Sequence, residues 1–397
     1  MSTRLVARIT RIRPSPTVSI TAQAGALRAE GRDVIALSAG EPDFQTPSHI
    51  GEAALEAIRS GQTKYTAVAG SQILKEAIVA KFQRDNGLDF HSNQILISSG
   101  GKQSLYNACQ VLLEAGDEAI IPAPYWVSFP EMARLADAEP IIVDTDAANG
   151  FRLRPEQLAE AISNRTRALI INSPCNPTGS AYARADWEAL GKVLAVHPDV
   201  FVITDDIYEH IYWGAEPFCS FLTACPELAE RTLTVNGLSK SYAMTGWRVG
   251  YAAGPKSVIE AMTALQSQST TNACTISQAA AVAALNGDQS PVTEMCAAFK
   301  DRHDYVNHRL NALPGVECRP CEGTFYAFPN IQQAIQLVGV ENDTDFCERL
   351  LEEQNLALVP GAAFGAPGCL RLSFAASRET LEIALNRMEG FINKVKL

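Results

Sequence analysis

The feature that most constrains this 397-residue chain is an alternation of two patterns between residues 94 and 252. Short runs rich in β-branched residues are separated by stretches with helical spacing, such as residues 104–113, 155–162 and 184–196. The seven strand-like runs cover residues 94–97, 118–121, 141–143, 168–172, 200–204, 232–235 and 248–252. This alternation predicts an α/β domain with a mostly parallel, buried sheet, in which ligands bind beyond the carboxyl ends of the strands.

The last hundred residues follow a different pattern. Helical patterns at 276–285 and 292–310 precede strand-like runs at 325–328, 357–359 and 370–374, and a last helix from residue 378 to about 395. We predict three parts: residues 1–45 as an arm and part of a small domain, 46–295 as a large domain, and 296–397 as a small α+β domain. The loop-rich segment 31–44 is expected to join the small domain in space.

Composition excludes several classes of protein. The net charge of −11 opposes binding to nucleic acid phosphates. The sequence has no run of about 18 apolar residues, so we expect no membrane span. The ten cysteines include only one C-x-x-C pair, Cys318 and Cys321, so we predict no metal site. Scattered thiols of this kind are typical of a cytoplasmic protein.

The first 13 residues contain four arginines, at positions 4, 8, 11 and 13, and the first acidic residue is Glu30. This pattern is weakly similar to a transit peptide, but it has no apolar core of the kind that a secretory signal needs. The interpretation we favour is a basic arm that lies on the folded body or on a partner subunit.

Lys240 follows the strand-like run 232–235 and precedes the apolar residues 242–244, a poor setting for a solvated lysine. A desolvated lysine has a lowered pKa and can form a Schiff base with an aldehyde. Arg248 opens the next strand-like run, where its guanidinium could bind a phosphate. A purely structural role for both residues is the alternative.

Polar residues also follow two neighbouring strand-like runs. Asp205 and Tyr208 come after residues 200–204, and Asn176 lies in an Asn-Pro-Thr-Gly turn after residues 168–172. A carboxylate at the end of a strand faces the ligand crevice, although a turn with an acidic cap is common there too.

A loop of small residues precedes the helical stretch 104–113 and contains Gly101 and Lys102. Such a loop lets a phosphate approach the N–H groups at a helix N-terminus, although neither of the two common glycine-rich phosphate-binding motifs occurs in the chain. Trp126 follows the strand-like run 118–121 and could stack on a planar ring, or simply pack.

Together these groups match one ligand, pyridoxal 5′-phosphate, which has an aldehyde, a phosphate, a phenolic oxygen and a ring nitrogen that pairs with an ionised carboxylate. The chain resembles fold-type I, class I pyridoxal-phosphate aminotransferases, and within them the bacterial and plastid aspartate/prephenate subgroup. The resemblance extends from Arg13 to the last helix and rests on residues 13–17, 39–44, 64–66, 100–103, 124–128, 176–179, 205–208 and 239–248.

The resemblance implies a seven-stranded sheet in a large pyridoxal-phosphate-binding domain, matching the seven runs above. It also implies that Lys240 is the catalytic residue, which binds the cofactor covalently and then moves a proton as base and acid. The implied cofactor-binding residues are Gly101, Lys102, Trp126, Asn176, Asp205, Tyr208, Lys240, Arg248 and Tyr65. Tyr65 would reach the phosphate in the neighbouring subunit, so the active unit would be a homodimer.

The resemblance further implies amino acids and 2-oxo acids as substrates. Arg371 would bind the substrate α-carboxylate, and Lys102 and Thr17 would bind the second carboxylate of a dicarboxylic substrate. The implied substrate-binding residues are Gly40, Lys102, Trp126, Asn176, Arg371, Thr17 and Arg13. Arg13 stands where the subgroup often has lysine, and arginine differs from lysine in reach and geometry.

The function predicted from these residues is transamination between L-aspartate and 2-oxoglutarate. Prephenate transamination, which forms arogenate, is an alternative, alone or as a second activity. Elimination or cyclopropane formation on a related fold, and a regulator that retains only the aminotransferase body, are less consistent with the residues present. Lys240, Asp205 and Arg248 support a catalyst, and the acidic charge opposes a DNA-binding regulator.

Overall fold

The seven predicted strands form one sheet in a computed structural model that describes residues 5–394. Arg4 of the basic arm and Val395 lie outside the described residues. In chain order the strands are β1 (Ile35–Ala36), β2 (Ile95–Ser98), β3 (Glu118–Ala123), β4 (Glu139–Asp144), β5 (Thr166–Asn172), β6 (Phe201–Asp205), β7 (Thr232–Gly237), β8 (Gly250–Ala253), β9 (Tyr326–Ala327), β10 (Leu356–Ala357), β11 (Val359–Pro360) and β12 (Leu370–Ser373).

Helices separate most of these strands. In chain order they are α1 (Ala7–Arg11), α2 (Pro16–Ala29), α3 (Ser48–Arg59), α4 (Gln72–Asn86), α5 (Gly101–Leu112), α6 (Phe129–Leu135), α7 (Pro155–Ala161), α8 (Arg184–Ala195), α9 (Phe221–Ala224), α10 (Lys256–Ser267), α11 (Thr275–Asn286), α12 (Ser290–Asn311), α13 (Gln332–Val338), α14 (Asp343–Gln354) and α15 (Arg378–Asn393).

The large sheet has the strand order β2-β8-β7-β6-β5-β3-β4, and only β8 runs antiparallel to its neighbours. The predicted α/β class and the mostly parallel sheet are therefore confirmed. Apolar clusters cover both faces of the sheet, which explains why its inner strands are continuous apolar runs. Because the parallel strands end at one edge, the polar residues that follow them meet there.

A smaller antiparallel sheet, β11-β12-β9, packs with α12 to α15 around its own apolar core. The segment 31–44 joins this part as expected, because β1 pairs in parallel with β10, with Ile35 opposite Leu356. The helix α12 runs through the boundary that we placed between residues 295 and 296, so the division into three parts stays a proposal. Among residues 5–394, no helix is both long and apolar enough to cross a membrane.

One boundary was wrong. Arg248 does not open a strand: β8 begins two residues later, and Arg248 itself is left-handed, with φ 52°. A short 3-10 turn, Thr245–Trp247, precedes it. The left-handed residue turns the chain, so that the guanidinium donates to the carbonyls of Ser99 and Thr245 at 3.3 and 2.9 Å.

Candidate active site

A cavity of about 600 Å³ lies at the carboxyl edge of the large sheet and reaches the small domain. Eleven of the residues predicted for the site line it: Thr17, Gly40, Gly101, Lys102, Trp126, Asn176, Asp205, Tyr208, Lys240, Arg248 and Arg371. The cavity combines side chains from the ends of β5, β6 and β7, from the N-terminus of α5, and from β12. Residues that are far apart in sequence therefore share one ligand-sized space.

Lys240 follows β7 and is partly buried. Its ammonium donates to the carbonyl oxygen of Gly40 at 2.6 Å. Burial lowers the pKa of Lys240 to about 8, and the positive charge of Arg248 acts in the same direction. A lysine with this pKa has a substantial unprotonated fraction near neutral pH, which a nucleophilic amine requires.

Asp205, the last residue of β6, is buried, and no basic side chain among residues 5–394 lies within salt-bridge distance of it. Burial raises its pKa to about 7, although the Ile207 N–H, which donates to Oδ1 at 3.2 Å, and the charge of Lys240 oppose this shift. A cation placed against Asp205 would restore its ionised form. The site therefore provides a carboxylate suited to a positively charged ring nitrogen.

Two asparagines connect the strand ends beside this carboxylate. Asn172 donates from Nδ2 to the carbonyl oxygen of Asp205 at 2.6 Å, and its Oδ1 accepts the N–H of Asn176 at 2.7 Å. These bonds hold the turn that contains Asn176 over the cavity, so the Asn176 side chain can contact both a ligand and the small domain.

Arg371 is buried in β12. One Nη donates to Oδ1 of Asn176 at 2.9 Å, and the other donates to the carbonyl oxygen of Ser38 at 2.6 Å. Its Nε is buried without a hydrogen-bond partner among the described residues. An unsatisfied guanidinium N–H is costly, and a bound carboxylate is the group that would satisfy it.

The N-terminus of α5 forms an anion site opposite this arginine. Gly100 has φ 88° and ends the strand-to-helix turn, and the helix begins at Gly101. Its N–H groups and the neighbouring Arg248 offer donors to a phosphate. The Nζ of Lys102 lies 4.8 Å from the centre of the Trp126 ring, and burial, followed by the charge of Arg248, lowers the pKa of Lys102.

Two predicted residues lie outside the cavity. Arg13 lines a second cavity of about 510 Å³ between the arm, α6 and α14, where its backbone N–H donates to Glu131 at 2.9 Å. Tyr65 is 89% exposed on the same chain, so its contact with a neighbouring subunit's site stays a prediction.

Sequence reasoning missed Tyr326, Ser38 and Asn172, which also line the cavity. Tyr326 lies in an apolar strand-like run and was indistinguishable from a core residue, and Ser38 contributes only its carbonyl oxygen. Asn172 ends a predicted strand, so the rule that selected Asp205 could have identified it.

These residues form a candidate enzyme site that combines a buried lysine of lowered pKa, a buried carboxyl group, a helix N-terminus beside an arginine, and a buried arginine with an unpartnered Nε. The model of the aminotransferase class I and II family matches residues 32–388, and the chain belongs to that family. The predicted resemblance is thus confirmed, and the chain is a transaminase.

Proteins of similar sequence and structure match this chain over nearly its whole length. The aspartate/prephenate aminotransferase of Nitrosomonas europaea is 48% identical, over 98% of this chain and 100% of that protein, and the aspartate aminotransferase of Geobacillus stearothermophilus is 47% identical, over 98% and 99%. The crystal structure of the aspartate aminotransferase from Rhizobium meliloti has a TM-score of 0.95 at 45% identity, over 99% and 100%. A Thermus thermophilus aspartate aminotransferase structure with maleate has a TM-score of 0.92 at 42% identity, over 98% and 100%. The fold-type I prediction is confirmed.

Proposed function

We propose that the chain is an aspartate aminotransferase that uses pyridoxal 5′-phosphate to exchange the amino group of L-aspartate with the oxo group of 2-oxoglutarate. One observation carries the proposal: Lys240, Asp205 and Arg371 line one cavity, and each has a feature that this cofactor and substrate would use. Lys240 has a lowered pKa. Among residues 5–394, Asp205 has no cation within salt-bridge distance, and the buried Nε of Arg371 has no hydrogen-bond partner.

The residues present fit the cofactor. Lys240 would hold it covalently, Asp205 would pair with its ring nitrogen, Asn176 and Tyr208 would contact its ring oxygen, and the start of α5 with Arg248 would hold its phosphate. When bound, the cofactor supplies an electron sink that makes the substrate Cα–H acidic. The buried carboxyl of Asp205 and the positive charge of Arg248 beside the start of α5 support this assignment.

The protein groups carry out the remaining steps. Arg371 fixes the substrate α-carboxylate and so orients the Cα–H bond. The amine of Lys240 would take the proton from the substrate Cα as a general base and, as a general acid, deliver it to the aldehyde-derived carbon of the cofactor. The two half-reactions then use one site in a ping-pong sequence.

Lys102 and Thr17 support a substrate with a second carboxylate. Both line the cavity that contains Arg371, and Lys102 adds a positive charge. The similar Thermus protein was solved with maleate, a four-carbon dicarboxylate, and the similar Nitrosomonas protein is named for both aspartate and prephenate. Prephenate, which also has two carboxylates, is therefore the second candidate substrate.

The proposal includes a homodimer in which Tyr65 reaches the partner's site, with residues 46–295 as the cofactor domain. It also places the enzyme in the cytoplasm. All ten cysteines are free thiols within the described residues, which supports a reducing compartment.

The test is spectroscopic. The protein reconstituted with pyridoxal 5′-phosphate should have a visible absorption band that aspartate or glutamate bleaches, and oxaloacetate or 2-oxoglutarate should restore it. Lys240→Ala should reduce turnover by about 1000-fold or more, whereas Lys256→Ala, on the surface, should not. A band that neither amino acid changes would exclude the proposed reaction. Comparison of kcat/KM for aspartate and prephenate would then rank the two donors.

A further inference from the structure

Tyr326 joins three groups of the active site although it belongs to the small sheet. It is fully buried in β9 and lines the cavity. Its hydroxyl oxygen lies 3.0 Å from that of Tyr208, a hydrogen-bond distance at which either group can donate. Tyr208 in turn is the phenol assigned to the ring oxygen of the cofactor.

The ring of Tyr326 forms one face of the arginine site. The guanidinium carbon of Arg371 lies 4.4 Å from the centre of this ring and 5.0 Å from the centre of the Phe364 ring. The charged plane therefore packs against aromatic rings, which attract it and limit its rotation. Because one N–H of each terminal nitrogen donates to Asn176 or Ser38, this packing and these two bonds together set the direction of the unpartnered Nε–H.

The Tyr326 hydroxyl also contacts the loop that holds the catalytic lysine. A Cβ at Gly40 would lie 2.6 Å from this hydroxyl oxygen, so the close approach requires glycine. The carbonyl oxygen of the same glycine accepts the Lys240 ammonium. Tyr326 is thus next to three residues of the site. Gly40 accepts a hydrogen bond from Lys240, Tyr208 is assigned to the cofactor oxygen, and Arg371 is assigned to the substrate carboxylate.

We propose that Tyr326 is a positioning residue with two separable roles, which rest on the transaminase function proposed above. Its ring orients Arg371 toward the substrate carboxylate. Its hydroxyl donates to Tyr208, which leaves the single proton of Tyr208 free to be donated to the ring oxygen of the cofactor.

The direction of this hydrogen bond has a measurable consequence. A phenol that accepts a hydrogen bond becomes a stronger donor, because bonds in a chain polarise one another. Tyr208 would then stabilise negative charge on the ring oxygen and lower the pH midpoint at which the visible band of the bound cofactor changes. If Tyr208 instead donated to Tyr326, removal of the Tyr326 hydroxyl would lower this midpoint.

The first experiment is a pH titration of the visible band in the Tyr326→Phe holoenzyme. We expect its midpoint to rise by about 0.5–1 pH unit, the equivalent of one hydrogen bond. Tyr305→Phe is the matched control. The ring of Tyr305 also packs against an arginine, Arg378, and its hydroxyl accepts a hydrogen bond from Arg309. Tyr305 lies outside the cavity. An unchanged or lower midpoint would overturn the role of the hydroxyl.

The second experiment measures the affinity of the holoenzyme for maleate, an unreactive dicarboxylate, by calorimetry. Tyr326→Leu removes the ring and should weaken binding by about 3- to 30-fold, the range of a buried cation–π contact. Tyr326→Phe keeps the ring and should bind within about twofold of the wild type. Equal affinities in a folded Leu variant, or equal losses in both variants, would contradict the separate role of the ring.

These outcomes are distinguishable from failure of the proposed function. If aspartate does not change the band of the wild-type holoenzyme, the function is wrong whatever the variants do. If aspartate does change it and the Phe variant shows no rise in midpoint, only the inference about the Tyr326 hydroxyl fails. Far-ultraviolet circular dichroism of each variant shows whether it is folded.

Discussion

Asp205 shows how a binding residue can destabilise its own fold. In an unfolded chain its pKa is near 3.8, and in the cavity burial raises it to about 7. The folded protein therefore binds the proton more tightly, so this residue costs no stability below about pH 3.8. The cost grows as pH rises toward 7 and is complete above it. Pairing of the Asp205 carboxylate with a cationic ring nitrogen would offset this loss of stability, because the cation stabilises the ionised form.

We therefore expect Asp205→Asn to stabilise the cofactor-free protein at pH 8, by up to a few kcal/mol. The gain should be much smaller at pH 4.5, because the wild-type carboxyl is largely protonated there. Urea unfolding of both proteins at the two pH values measures this difference. The same substitution should weaken pyridoxal-phosphate binding, and a variant that is less stable at pH 8 would contradict this account.

At the scale of the secondary-structure element, the junction of β2 and α5 determines the anion site. Gly100 has a φ of 88°, a backbone angle that residues other than glycine rarely adopt. A Cβ at this position would lie 2.5 Å from an Nη of Arg248. Both the turn and the position of the arginine thus depend on the absence of a side chain. In the proposed function the loop and the guanidinium would bind the phosphate as one unit.

Gly100→Ala should displace Arg248 and weaken pyridoxal-phosphate binding by about tenfold or more, as expected for the loss of a charge-assisted hydrogen bond. The matched control is Gly87→Ala, at the end of α4. Gly87 also has a positive φ, 66°, but a Cβ there meets nothing within 4 Å. The control should lose about 1 kcal/mol of stability and keep its cofactor affinity. Equal dissociation constants for both variants would argue against the coupling.

Local patterns predicted the elements of the sheet well, because each strand is a short apolar run bounded by turn residues. All seven runs became strands, and residues at or after the ends of five of them, β2, β3, β5, β6 and β7, line the cavity. The helices α13 and α14 were missed. The helix α13 has only seven residues, whereas α14 has apolar residues at helical spacing, Phe346, Cys347, Leu350 and Leu351, so the periodicity rule could have identified it. Tyr326 was missed for another reason: its role comes from packing between two sheets, and no local pattern records which residues a strand will meet.

At the scale of the whole molecule, a net charge of −11 coexists with a cavity that contains Lys102, Lys240, Arg248 and Arg371. The acidic residues are mostly on the exterior, so the field within the cavity favours phosphate and carboxylate groups. Tyr65 lies away from this cavity on its own chain and is 89% exposed. The resemblance assigns it to the partner's phosphate, and in the proposed homodimer the second subunit would then be part of each site.

Subunit mixing tests this arrangement. Lys240→Ala and Tyr65→Ala should each be impaired alone, but a mixed dimer should contain one intact site, formed by Lys240 of one subunit and Tyr65 of the other. Random exchange makes about half of the dimers mixed, so activity should recover to roughly a quarter of the wild-type value. Mixing Lys240→Ala with the double variant Lys240→Ala/Tyr65→Ala is the control, because no combination there restores a lysine. Recovery in the control, or full activity from a monomer in sedimentation experiments, would contradict a shared site.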